Sequence, residues 1–241
     1  MQIEPRGQYK IIAGHYATAL IAHQKFPKGT LLFFLAASQF QDICWFIFHY
    51  LGLEPTGPVD VFDATIANMT VSMMYSHHLI PQFIWAVVVF LIGKFLFKST
   101  TIGLIALALF VGHITLDFFS GHGHHLFGAN THAIGLGLYA KNAYLAILIE
   151  AVFIVTALTY YFRTEAKAGV VRTTKNRAAI IGVFVYGIVF MLSIATVSFR
   201  DLFGLPVLNL AFNTTVPTII RTYIAMTAVL FWAIPKTVKA R

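Results

Sequence analysis

Residues 100–119 read TTIGLIALALFVGHITLDFF. The stretch begins as an uncharged aliphatic run, and its last turns carry His113 and Asp117. About 20 mostly apolar residues carry a helix across the hydrocarbon core of a bilayer. A spanning helix that contains an imidazole and a carboxylate must turn them towards protein or water, because lipid leaves them unsatisfied. This stretch therefore predicts both a membrane fold and a polar interior.

Five more segments have the same apolar character, at about residues 30–52, 79–97, 143–162, 178–198 and 216–234. Their runs are continuous, with glycines and aromatics interspersed, which suits helices rather than the alternating strands of a barrel. The expected fold class is all-α, a polytopic transmembrane helical bundle of about six spans. A shorter apolar stretch, Ile11 to Ala22, holds His15 and reads as a re-entrant or interfacial helix, with a full crossing by a tilted helix as the alternative. An imidazole within it, and Lys25 and Lys28 just after it, argue against a cleaved signal peptide.

Composition points the same way. The chain has 241 residues, 58% of them hydrophobic and 11% charged, with a mean hydropathy of +0.77. Soluble domains carry roughly 25% charged residues, so an ordinary soluble enzyme, a disordered chain and a nucleic-acid-binding domain are all excluded. The single cysteine, Cys44, excludes an intrachain disulfide framework and a cysteine-cluster metal site.

The net charge of +8 is a topology signal. With six crossings and the N-terminus in the cytoplasm, all of the 17 lysines and arginines except Lys141, Arg200 and Arg221 fall on the cytoplasmic side. That orientation predicts an integral membrane protein with its C-terminus in the cytoplasm. The segment 53–78 and the loop 120–142 then face outward. The chain reads as one integrated domain. Residues 1–162 form a four-span core with the polar equipment, 163–177 a basic cytoplasmic loop, and 178–241 a two-span support.

All ten histidines lie between His15 and His132, and the acidic residues within spans are few. His113 and Asp117 are spaced i, i+4, on one helix face one turn apart. That spacing suits two ligands of one divalent cation, or one ligand oriented by the other; it also suits a buried His–Asp hydrogen bond between helices. Asp42 and His49, seven residues apart, share a face of the first span. His77 and His78 point about 100° apart, so at most one faces the same partner. Glu150 sits in the middle of the fourth span and needs a polar interior. The glycine-containing loop with His122, His124 and His125 could recruit metal, shuttle protons or do nothing specific; His124, His125 and His132 read as loop histidines without a specific task, and His23 as an interfacial one. A His and carboxylate set without cysteine suits zinc, with manganese or iron also compatible.

The residues also resemble a family. The order of His15, Asp42 in Ser38-Gln39-Phe40-Gln41-Asp42, Ser76-His77-His78-Leu79 and Gly112-His113-Ile114-Thr115-Leu116-Asp117 is similar to that of the bacterial membrane-bound metal-dependent hydrolases. The stretch Ile134 to Tyr139, then Glu150, then Tyr161-Phe162-Arg163-Thr164 looks like members of the same group. The resemblance covers about residues 10–165. It implies that His15, Asp42, His77, His113 and Asp117 are metal ligands or their immediate partners, and it selects His77 over His78. The family's Pro-Asp-x-Asp is here Gln41-Asp42-Ile43-Cys44, one carboxylate fewer.

These readings lead to an expected function. The chain is expected to be a membrane metal-dependent hydrolase that attacks a phosphoester or acyl bond of an amphiphilic, lipid-like substrate. A metal-activated water is the nucleophile, and Glu150, Asp117 or Asp42 the general base. Two other classes share the features: a transporter or proton/metal conduit, for which matching halves with broken helices are lacking, and a non-catalytic membrane protein with a structural metal.

Overall fold

The computed structural model describes residues 13–120, 123–128, 130–207, 214–236 and 238–239. Arg6, Lys10, Ile11, His122 and Arg241, which entered the reading above, lie outside the described residues. Helix α1 spans Gly14–Lys25, α2 Leu31–Ser38, α3 Phe40–Tyr50, α4 Leu79–Leu96 and α5 Thr100–Ser120. They are followed by α6 Leu138–Lys141, α7 Ala143–Lys167, α8 Thr174–Ser193, α9 Phe199–Phe203 and α10 Thr215–Ala233. Five of these, α4, α5, α7, α8 and α10, are long and apolar enough to cross a membrane. The pair α2 and α3 makes a sixth if its two halves count as one span. The chain is an all-α polytopic bundle, and such helices belong in a lipid bilayer.

The α2–α3 pair, a broken span or a re-entrant loop, is sharply bent. Its halves meet at Gln39 with a bend of 66°. Gln39 takes φ −112° and ψ 13°, outside the helical range, where Ser38, Gln39 and Gln41 bring polar groups into an otherwise apolar run. Thr30 caps α2 by accepting from the Phe33 amide, and Asn142 and Thr173 do the same for α7 and α8.

Helices α4 and α5 form a tight hairpin at whose crossing two glycines meet. A Cβ on Gly93 would lie 2.9 Å from Gly103 Cα, and one on Gly103 would lie 2.7 Å from the Phe90 carbonyl oxygen. Such close backbone approach is what small residues provide between membrane helices. The short helix α1 is about 18 Å long, too short to span alone. Seven of its residues are buried, His15 among them, and it packs on α2, α5 and α7 within the bundle.

Polarity is arranged inside out. Large apolar side chains such as Phe83, Phe95, Val155, Val189 and Ile224 are exposed, while His15, Gln41, Asp42, Glu54, His77, His113, Asp117 and Glu150 are buried. The polar group is thus enclosed by helices whose outer faces suit hydrocarbon.

Two clamps tie the loops to the bundle. At one end, Arg200 of α9 binds Asp63 and Asp60 of the 51–78 segment, the second at 2.6 Å. The Asp63 hydrogen bond raises the guanidinium pKa above its ordinary value. At the other end, Arg172 donates to both oxygens of Glu165, at 2.7 and 2.6 Å, and to the carbonyls of Ala233 and Ile234 at the end of α10. Burial opposes its charge, but Glu165 and Tyr161 outweigh that and its pKa is raised. The last two spans are therefore tied to the others at both ends.

Candidate metal centre

Five side chains from four elements converge. Helix α1 supplies His15, α3 supplies Asp42, α5 supplies His113 and Asp117, and the turn before α4 supplies His77. They form two sets of three, His15, His113 and Asp117, and Asp42, His77 and His113, each with donor atoms within 4.8 Å of one another. All five are at most 1% exposed.

The separations resemble the edges of a coordination shell. His15 Nε2 lies 3.5 Å from Asp117 Oδ1, and His113 Nε2 lies 3.4 Å from Asp117 Oδ2. On the other side, His77 Nε2 and His113 Nε2 lie 3.5 and 3.8 Å from Asp42 Oδ1. Two donors of a tetrahedral ion with bonds of about 2.1 Å sit about 3.4 Å apart. Both sets use His113 Nε2, and one imidazole nitrogen carries one metal bond. The rings of His15 and His113 are stacked, with centroids 3.6 Å apart and planes within 5°.

The donor set passes a chemical test for a cation. Both ring nitrogens of His15 and both carboxylate oxygens of Asp117 are buried, and among the described residues the His–Asp contacts they make are long, at 3.4 and 3.5 Å, rather than close hydrogen bonds. Leaving a buried carboxylate and imidazole unsatisfied costs several kcal/mol. A divalent ion would satisfy them together.

Groups behind the donors orient them. The bend at Gln39 turns the Ser38 carbonyl to His113 Nδ1, 2.7 Å away. The Nδ1 proton is thereby fixed, and the Nε2 lone pair faces the cluster. His77 Nδ1 lies 2.6 Å from Ser76 Oγ, which donates to Glu54 Oε2 at 2.7 Å. Glu54 also accepts from the amides of Tyr75 and Ser76. Since the serine proton goes to the carboxylate, the His77 proton sits on Nδ1, and its Nε2 lone pair faces Asp42 Oδ1 at 3.5 Å. On Asp42, Oδ2 accepts from the Tyr223 hydroxyl at 2.6 Å, leaving Oδ1 towards the histidines.

The chain matches no known protein-family model, no curated protein and no solved structure.

Other residues from the sequence reading go elsewhere. His49 does not join the cluster: it is half-buried and its Nδ1 is 3.2 Å from the Glu54 carbonyl oxygen. The seven-residue spacing put it on the right face, but the cluster gathers at the first turn of α3, and His49 sits at its far end. Glu150 belongs to neither donor set. Its Oε1 accepts from the amides of Ala13 and Gly14 at 3.2 and 2.9 Å, and its Oε2 from the Tyr139 hydroxyl at 2.9 Å. It caps the start of α1 from outside, just ahead of His15.

His78 accepts from the Gly128 amide through Nδ1, so of the adjacent pair only His77 faces the cluster. His124 is buried, with Nδ1 3.0 Å from the His77 carbonyl oxygen, and braces that turn; His132 is exposed. Sequence reasoning missed Glu54, Ser76 and Tyr223 as site groups. Glu54 lies in a loop and Tyr223 in an apolar span, and no spacing links either to its partner.

Proposed function

We propose that the protein is a membrane-embedded metal-dependent hydrolase, like the family its motifs resemble, and that it acts on a lipid-like phosphoester or acyl bond. The observation that carries this reading is the buried pair of donor sets meeting at His113 Nε2. His15, Asp42, His77, His113 and Asp117 would hold one divalent ion, zinc fitting the donors best. Such an ion supplies a Lewis acid for a carbonyl or phosphoryl oxygen and a water acidified towards neutral pH.

The chain's own groups prepare that centre. Ser38 and the Glu54–Ser76 pair present the Nε2 atoms of His113 and His77. Tyr223 holds Asp42 by one oxygen, so that the other is available to the cluster. Whichever of Asp117 and Asp42 does not hold the ion would be the acceptor for a proton released there. Glu150 serves as a positioning residue that fixes the start of α1 and with it His15. In the proposed orientation both chain ends lie in the cytoplasm and the cluster in the outer part of the bundle.

Enclosure of all five donors favours one second reading, a purely structural ion. Metal analysis of the purified protein addresses both. Wild type is expected to hold about one equivalent, and His113→Ala and Asp117→Ala to lose it. Metal-free wild type sinks the proposal. Cobalt substitution then separates the readings: an open coordination position gives a visible spectrum that shifts with added azide, and a closed structural site gives one that azide leaves unchanged.

A further inference from the structure

A cleft of about 500 Å³ runs between α2 and α3 on one side and α10 on the other. Ligand sites commonly measure roughly 300–1,000 Å³. Its inner end is formed by Tyr16, Gln39 and Tyr223, and its rim includes Leu32, Ile224 and Phe231. The rim side chains are 52%, 63% and 55% exposed, and two of them belong to a spanning helix, so the opening faces hydrocarbon. Along α10 the lining runs from Ile220 to Phe231, about 16 Å of helix.

The inner end touches the cluster. Tyr223 both lines the cleft and donates to Asp42 Oδ2 at 2.6 Å. Tyr16 follows His15 directly, and Gln39 is the bend residue three before Asp42. The cleft thus runs from the lipid-facing surface to Tyr223, whose hydroxyl is bonded to the donor Asp42.

We infer that this cleft receives one hydrocarbon chain of a membrane phospholipid, lying along α10 with its polar end at Tyr223 and Asp42. This rests on the proposed reading of the cluster as a reaction centre, and it narrows the substrate to an amphiphile whose scissile bond lies at the head of a single bound chain. The surroundings favour that occupant: at this depth the competing solvent is acyl chain, and an apolar groove there excludes a water-soluble ligand.

The test uses full-length protein in phosphatidylethanolamine vesicles doped with a phosphatidylethanolamine that carries a diazirine on one acyl chain. After illumination, adducts are mapped by mass spectrometry. Exposed Phe83, at 73%, reports bulk lipid; Tyr16, at 2%, is a wall that bulk lipid does not reach. The expected result is adducts on Tyr16 and Tyr223 as well as Phe83. Ala36→Trp, which fills the cleft from the α2 side, and Ala228→Trp, from the α10 side, are expected to lower the Tyr16 and Tyr223 adducts at least several-fold and leave Phe83 unchanged. Adducts on Phe83 without Tyr16, or Tyr16 labelling that neither tryptophan lowers, overturns the inference.

Metal content measured on the same samples separates this result from the hydrolase reading. Metal-bound protein unlabelled at Tyr16 removes the chain site alone. Labelled but metal-free wild type removes the hydrolase and leaves the chain site.

Discussion

His77 acquires its orientation from two groups that never reach the cluster. Ser76 fixes its proton and Glu54 fixes Ser76, all three fully buried. Groups of this kind commonly change metal affinity about 10–100-fold when removed. If the proposed ion is bound, Ser76→Ala is expected to weaken divalent-metal retention by that factor in competition with a chelator, while Ser76→Thr retains most of it; equal affinity in the alanine variant contradicts the orienting role. The residue scale was also where the sequence was most unevenly legible. His113 and Asp117 could be paired because i, i+4 spacing survives any tertiary context, and their side chains do meet. His49 obeyed an equally valid periodicity and still missed, because periodicity gives a direction around a helix and says nothing of where along it the partners lie. Tyr223 carried no signal, since an aromatic in an apolar span has ordinary reasons to be there.

Among the elements, the α4–α5 hairpin depends on what its glycines lack. The missing Cβ of Gly103 would stand 2.7 Å from the backbone oxygen of Phe90, which cannot yield as a flexible side chain does. Gly103→Leu is expected to destabilise by about 1–3 kcal/mol or more, seen as a lower melting temperature in detergent. Gly182→Leu on α8 is the control, for a Cβ there meets nothing within 4 Å. If both variants melt alike, the glycine contact is not what sets the hairpin's packing. Element existence and length were legible because hydrocarbon thickness imposes them. The break at Gln39 was not: Ser38-Gln39-Phe40-Gln41-Asp42 announced an inward-facing polar stretch, yet a straight helix with that stretch turned inward reads identically.

At the scale of the whole molecule, Arg172 joins the end of α7, the start of α8 and the end of α10 through Glu165, Asn176 and two terminal carbonyls. Arg172→Ala leaves Glu165 buried without its cation, and removing one partner of a buried pair costs about 3–5 kcal/mol. The variant is expected to lose most of its folded yield, and unchanged thermal unfolding would contradict the clamp. Orientation is tested separately. The basic-residue distribution predicts that Lys98→Cys and Lys141→Cys lie on opposite sides of the membrane, only the latter reacting with an impermeant maleimide in intact cells; the opposite pattern inverts the topology. The sequence divided the chain into a polar-equipped core and a C-terminal support, a division based on where histidines occur. The hydrogen bond from α10 to Asp42 crosses it, because a tyrosine does a job that no histidine count anticipates.

The bend between α2 and α3 has a consequence for how the centre withstands substitution. The acceptor that sets the His113 tautomer is a main-chain carbonyl, so no exchange of the Ser38 side chain removes it. The protonation pattern of the cluster is inherited through the path of the backbone. Sequences that diverge freely at position 38 keep it as long as they keep the corner, while a single inserted or deleted residue at Gln39 loses it with every ligand still present.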